Sequence, residues 1–360
     1  MSIFVRLLIV CALPLSLVSR AADLVNDKAI TIHSSADIQE TRKKLIEYLW
    51  DQAGFPSPDR FPNRVVTNIA SPVHLLEHLR RVDELRMDLT PGLEALAYHF
   101  IAKNPKPEVV ILHHGHACTL DDEASAKDVG YGMQRTINSL LGEGYGVVGV
   151  FMPHMRPGDC TGNHEAMFEF KTTGSPLKYF LEPTVISLNY ALNAKRSETD
   201  DFPQYRKAHM AGLSGGGWTT TVCAAIDHRI QCSFPVAGTI PLYLRSGGSI
   251  GDREQFEPPF YSLAGYQDLY VLGASGAQRR QVQILVRKDD CCFGEAQHDR
   301  KATGREYAEA MRSYEKRVQA ALKGIGEGSF RLKIDETAPS HMISHHAIDL
   351  ILQTLRSSGD

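Results

Sequence analysis

An excess of charge of either sign is the first thing this sequence lacks. Across 360 residues, 39 Lys and Arg stand against 42 Asp and Glu, a formal charge of −3. Without a basic or acidic surplus, neither nucleic acid nor an anionic membrane is expected as a partner. There is no C-x-x-C pair, so the spacing of a structural zinc site is missing. No internal repeat, low-complexity tract or linker divides the chain, which reads as one main domain. Beyond the amino terminus no run is apolar enough to cross a bilayer, so stable membrane insertion is not expected. What is present is ordinary: 43% apolar and 22% charged residues, the composition of a globular protein with a sizeable core.

The first residues are read apart from the fold. Arg6 gives a short basic start, and Leu7 to Val18 form an apolar run of signal-peptide length. Ser19-Arg20-Ala21 then places small residues where a signal peptidase reads, with cleavage expected before Ala22. The run is well short of the roughly 20 apolar residues of a membrane span. Ile9-Val10 precede Cys11 where a lipoprotein needs small residues. The expectation is therefore a signal peptide over 1–21 and a secreted or periplasmic protein. Six cysteines remain: Cys118, Cys160, Cys223, Cys232, Cys291 and Cys292. In an oxidising compartment some of these pair. A bridge between the adjacent Cys291 and Cys292 would be strained, because neighbouring Cα atoms lie closer than a relaxed disulfide prefers.

Along the mature chain, residues 22–80 read as a helical extension. Ala36 to Trp50 is its helix, with Ser35 placed to cap it and Ile38, Leu45, Ile46 and Leu49 giving an apolar side. Leu85, Met87 and Leu89 alternate with charged residues, Thr90-Pro91-Gly92 turns the chain, and Leu96, Tyr98 and Phe100 alternate again. That is an antiparallel hairpin. From 81 to 360 the chain then gives short apolar runs at Val109 to Leu112, Val147 to Phe151, Ala208 to Leu213, Ile230 to Val236 and Val282 to Val286. Phe330 to Ile334 is a shorter alternating one. Helix-length segments separate most of them. Such alternation predicts an α/β fold, a mostly parallel sheet with helices on both faces. About 240–279 is an aromatic-rich insertion without a clear strand, expected as a cap over the active site.

The chemistry centres on Gly212-Leu213-Ser214-Gly215-Gly216. A G-x-S-x-G run bends the chain sharply from strand to helix and exposes the serine hydroxyl, with glycines where side chains would collide. The apolar run before it and the helix-forming Trp218 to Ile226 after it supply the required context. A serine nucleophile needs a base, and the base needs an orienting acid. In the strand-turn-helix setting of this motif the order is nucleophile, acid, histidine. The strand Val282 to Val286 runs into Lys288-Asp289-Asp290-Cys291-Cys292, where Asp289 is the first choice of acid and Asp290 the rival. His341 lies between the last strand and the last helix and is the expected base, while His345 and His346 fall in the first helical turn as solvated residues. The oxyanion needs two backbone donors. These are the amide of Gly215 and that of His116, in the loop His113-His114-Gly115-His116. As metal ligands the histidines are unconvincing, since His113 and His114 point to opposite sides of a strand and the nearest carboxylate in sequence is Asp121. His154 and His164 are candidates to line the pocket or to sit on surface loops. No metal and no cofactor are expected.

Taken in order, His114-Gly115, the elbow from Gly212 to Gly216, Asp289 and His341 resemble the α/β-hydrolase superfamily over about residues 81–355. More narrowly, the chain is similar to exported bacterial α/β hydrolases with a His-Gly-His loop (114–116) and an Asp-x-Cys-Cys-Phe acid loop (289–293), which favours Asp289 over Asp290. The resemblance implies a serine hydrolase working through an acyl-enzyme. A small-molecule or carbohydrate ester is the expected substrate, since a serine in place of an aspartate argues against dehalogenases and epoxide hydrolases. The alternatives are a serine peptidase or amidase, and a non-catalytic binding protein of the same fold. The segment before Arg81 is too short for the propeller of large oligopeptidases. In the inferred sheet the strands before Cys118 and Cys160 are neighbours whose following loops share one edge. A disulfide between these two cysteines is therefore expected. The competing possibilities are a pairing of Cys118 with Cys291 or Cys292, or a plain buried thiol.

Overall fold

An uninterrupted apolar run such as Val109 to Leu112 suits a strand covered on both faces. In the computed structural model of the chain it lies near the middle of a nine-stranded sheet. The structure describes residues 29–122, 130–194, 202–245, 250–298 and 304–358. The expected signal segment 1–21, and Gly247-Gly248 of the expected insertion, lie outside the described residues. The chain begins with helix α1 (Ser35–Trp50), then strands β1 (Arg64–Val66), β2 (Leu79–Thr90), β3 (Leu93–Ala102) and β4 (Glu108–His113). Helix α2 (Met133–Gly142), β5 (Gly146–Val150), a small ribbon of β6 (Met155–Arg156) and β7 (Asp159–Cys160), α3 (His164–Met167) and α4 (Lys178–Asn193) come next. The core unit follows as β8 (Lys207–Leu213), α5 (Gly215–Ile226) and β9 (Ile230–Val236). After α6 (Pro258–Tyr261) and α7 (Tyr266–Ala274), the chain closes with β10 (Arg280–Val286), α8 (Glu295–His298), α9 (Gly304–Ile325), β11 (Ser329–Asp335) and α10 (His345–Arg356).

The sheet order is β1-β2-β3-β5-β4-β8-β9-β10-β11. The first four strands pair antiparallel, and from β5 to β11 every pair is parallel. The strand pleat sends alternate residues to opposite layers. Val109 and Ile111 of β4 join one core with α1, α4, α5, α7 and α9, whereas Val110 and Leu112 join a second core with α2 and α10. The loops that follow the parallel strands emerge together at their carboxyl ends, where open α/β sheets place their ligands.

Two details differ from the sequence reading. Helix α1 is capped by Ser34, not Ser35: Ser34 holds an extended backbone (φ −146°), and its hydroxyl accepts from the Asp37 amide at 3.2 Å. The expected helical extension is also more than helical, since β1 pairs antiparallel with β2 and adds an edge strand. Leu45, Leu49 and Trp50 pack into the main core, and Arg42 donates to the carbonyls of Ala225 and Leu272. Buried Arg279 does the same from the other side, bonding the carbonyls of Ala224, Ile230, Leu272 and Ser275. Two guanidinium groups thus satisfy carbonyls at the carboxyl ends of α5 and α7, where helix dipoles favour positive charge. The insertion at 240–279 splits in two. Its later part, α7, is a buried crossover helix packed on α5, whereas residues 252–254 approach the loop that follows β4.

Candidate active site

The turn from β8 into α5 is possible only because two loops touch backbone to backbone. A methyl group on Gly216 would come within 2.0 Å of the His113 carbonyl, and one on Gly115 within 2.7 Å of Ser214 Cβ. His113 pairs with Gly212 in register, so β4 and β8 deliver these loops side by side. Ser214 sits between them at φ 61° and ψ −126°, a backbone conformation that is strained for a residue with a side chain. Its amide donates to the Val236 carbonyl at 2.9 Å, and its carbonyl accepts from Trp218 at 3.0 Å to start α5. The strain is therefore held in place by the strand behind and the helix in front. The positive end of the α5 dipole lies at Gly215, and His116 approaches it: a methyl on Gly215 would stand 3.2 Å from the His116 ring.

Asp289 and His341 come from loops after β10 and β11 and meet at the same edge. His341 Nδ1 donates to Asp289 Oδ2 at 2.7 Å, and both side chains are buried. The other carboxylate oxygen accepts from the amides of Cys291 at 2.8 Å and Cys292 at 2.9 Å, which fixes the plane of the carboxylate. Asp290, the rival, is exposed. The histidine loop is held by Asp335, whose carboxylate accepts from Thr337, Ala338 and Ser344, and by the Ile343 amide donating to the Tyr131 carbonyl. Tyr131 packs edge-on against His341 and also against His114. His345 and His346 are exposed on α10, as expected.

The acid loop carries a feature that sequence reading flagged without placing. Cys291 and Cys292 are not bridged. The Cys292 thiol donates to Cys291 Sγ at 3.2 Å and lies 3.7 Å from Ser214 Oγ. The contact with Cys291 and then burial push the Cys292 thiol well above its ordinary pKa. It therefore stays protonated beside the serine hydroxyl. The disulfide at this edge joins Cys118 to Cys160, as expected, and the pairings of Cys118 with Cys291 or Cys292 are not formed.

The histidines divide sharply. His113 is fully buried and donates from Nδ1 to the His114 carbonyl at 2.7 Å; burial lowers its pKa to about 4. Burial lowers that of His114 to about 3. Both are neutral core residues. Asp121 pairs with His74, and His154 pairs with Asp159. The expectation that the loop histidines lack carboxylates is corrected at His116. Its Nε2 lies 3.1 Å from His164 Nδ1 and 3.2 Å from Asp252 Oδ2, and His164 Nδ1 is 3.4 Å from Glu254 Oε1. Sequence proximity missed this because Asp252 and Glu254 arrive from the segment after β9, more than a hundred residues downstream. Burial works against a charge on His164, but Glu254 outweighs it and holds the imidazole above its ordinary pKa.

Neither a protein-family model nor a curated protein matches the sequence. Among solved structures, the chain superposes on a promiscuous CE15 esterase from the marine bacterial metagenome with TM-score 0.56 at 12% identity, covering 89% of this chain and 90% of that one. The glucuronoyl esterase from Solibacter usitatus gives TM-score 0.54 at 12% identity over 90% and 92%. Acetyl xylan esterase 1 from Thermoanaerobacterium sp. gives 0.53 at 13% identity over 97% and 99%. At such identities the likeness establishes architecture, and the chain has the α/β-hydrolase fold.

Two outcomes follow from this geometry. Should the chain turn over an activated ester with His341 as base, Asp289→Asn is expected to leave His341 in the wrong tautomer and lower kcat by on the order of 10⁴, against less than about tenfold for Asp290→Asn. Steady-state kinetics on the two folded variants check the ranking. His113 gives a pH signature. Its folded pKa lies below the ordinary 6.5, so between pH 6.5 and about 4 the unfolded chain binds a proton that the folded chain refuses, and stability falls as pH drops. In His113→Asn, urea titrations across that window should lose up to about 1.4 kcal/mol per pH unit of the wild-type slope. An unchanged slope would contradict a neutral buried His113.

Proposed function

We propose that the chain hydrolyses a carboxylic ester through a Ser214–His341–Asp289 triad and an acyl-enzyme. The observation that carries this reading is the strained Ser214 at a glycine-lined turn, on the same sheet edge as an imidazole bonded to a buried carboxylate. Ser214 Oγ attacks the acyl carbon as His341 Nε2 takes its proton, and Asp289 orients the imidazolium that results. The backbone amides of Gly215, at the amino end of α5, and of His116, in the loop after β4, hold the oxyanion. The alcohol leaves with the proton from His341. Water then attacks the acyl-enzyme with His341 as base, and the carboxylic acid departs.

For the substrate we infer an ester borne on a carbohydrate. Similar solved structures are described as acetyl xylan and glucuronoyl esterases, and that description supports the class of substrate without fixing the acyl group. The Cys118–Cys160 bridge supports the export expected from the amino-terminal apolar run, since such bonds persist in oxidising compartments. Among the described residues no helix is long and apolar enough to cross a membrane.

Ser214→Ala tests the reading directly. With an acetylated xylo-oligosaccharide and a chromogenic acetate as substrates, kcat/KM should fall at least about 10⁴-fold while the circular dichroism spectrum is kept. A folded variant within tenfold of wild type would remove Ser214 from the mechanism.

A further inference from the structure

We propose that His116, His164, Asp252 and Glu254 bind one divalent transition-metal ion, zinc by their ligand chemistry, at the rim of the candidate active site. The four donor atoms all lie within 4.8 Å of one another. The three separations of 3.1, 3.2 and 3.4 Å fit an ion between them. A tetrahedral zinc with bonds of about 2.0–2.1 Å spaces its ligand atoms roughly 3.3–3.4 Å apart. Two imidazoles with two carboxylates suit zinc and its neighbours in the first transition row, whereas calcium and magnesium favour oxygen-only shells.

Glu254 makes the strongest demand for a cation. Its side chain is fully buried, neither carboxylate oxygen makes a hydrogen bond, and its closest ionic partner is His164 at 3.4 Å. A buried carboxylate in this state is costly unless a positive charge meets it. The adjacent Arg253 does not meet it, because its guanidinium is bonded to Glu165 and Glu257 and lies over Phe168. His164 is prepared as a ligand. Its Nε2 donates to the Pro153 carbonyl at 3.0 Å, so Nδ1 is the ring nitrogen turned toward the cluster, and an ion bound there displaces the proton that Glu254 otherwise favours on the ring. A second ring nitrogen bonded to a backbone carbonyl is the usual way that metal-binding histidines are oriented.

The protein also holds the deep ligands before any ion arrives. Tyr261 donates to the Glu254 carbonyl at 3.2 Å while accepting from Trp218 Nε1 at 2.7 Å, and Tyr266 donates to the Gln255 carbonyl at 2.8 Å. Glu254 is thereby tied to α5, the helix that follows the serine. Asp252 and His116, with side chains 53% and 34% exposed, form the open side through which an ion enters. Once bound, the ion links the loop after β4, the short α3 and the segment after β9. It would fix the chain at His116 without touching the serine.

The test uses the full chain, stripped with EDTA and titrated with zinc chloride by calorimetry, with bound metal counted by mass spectrometry. One zinc per chain is expected in wild type and equally in Cys291→Ser/Cys292→Ser, which separates this site from the thiols near His341. Asp252→Asn, an exposed change that leaves the core intact, should weaken zinc at least about tenfold. Glu254→Gln/His164→Asn should abolish binding. Wild type without stoichiometric zinc would overturn the proposal, as would zinc that survives Asp252→Asn unweakened or is lost in the double serine variant. None of these readouts depends on ester hydrolysis, so this inference stands or falls apart from the proposed activity.

Discussion

The close approach of two backbones, one after β4 and one after β8, is the constraint on which the rest of the site depends. At Gly216 a single methyl group would stand 2.0 Å from the His113 carbonyl, so the β8–α5 turn tolerates no side chain there. That contact puts the amino end of α5, with Ser214 at a positive φ before it, beside the His116 loop, while parallel pairing of β10 and β11 places the acid and histidine loops at the same edge. Local strain of this kind persists only where surrounding structure enforces it. Here the enforcement comes from parallel strands on either side of the turn and from the all-buried helix α5.

Around this contact the side chains divide into isolated groups kept neutral by burial and groups that meet an ionisable partner. His113 and His114 sit inside the sheet edge as neutral rings, because burial makes protonation unfavourable. Cys292 is kept as a thiol next to Ser214 Oγ. The ionisable side chains gather in two compact groups, His341 with Asp289 and the His116–His164–Asp252–Glu254 cluster. Both groups draw their members from loops after different strands, so the sheet, and not any local segment, sets their geometry.

That division explains what was legible in the sequence. The elbow could be read because its glycines, strand and helix are contiguous. The pairing of Asp289 with His341 could be read because both follow late parallel strands whose loops emerge at one edge of the sheet. The Cys118–Cys160 bridge followed from two strands being neighbours. The pairing of β1 with β2 was not legible, since Arg64–Val66 is three residues long and lacks a clear alternating pattern. The cap at Ser34 was missed by one residue because two serines stand side by side and only the backbone angle decides between them. Asp252 and Glu254 were missed for a different reason. Nothing in an irregular segment announces which loop it will meet, and their partnership with His116 and His164 exists only once the sheet is assembled.

The central claim is that one hydroxyl, Ser214 Oγ, is the atom that becomes acylated. Incubation with a fluorophosphonate followed by intact-mass measurement and peptide mapping tests it most directly, because it separates the Ser214 hydroxyl from the neighbouring Cys292 thiol, 3.7 Å away and held protonated. The account predicts a single adduct per chain on the peptide that contains Ser214, and none on Cys292. A chain that stays unlabelled, or an adduct that maps to the acid loop, would contradict it.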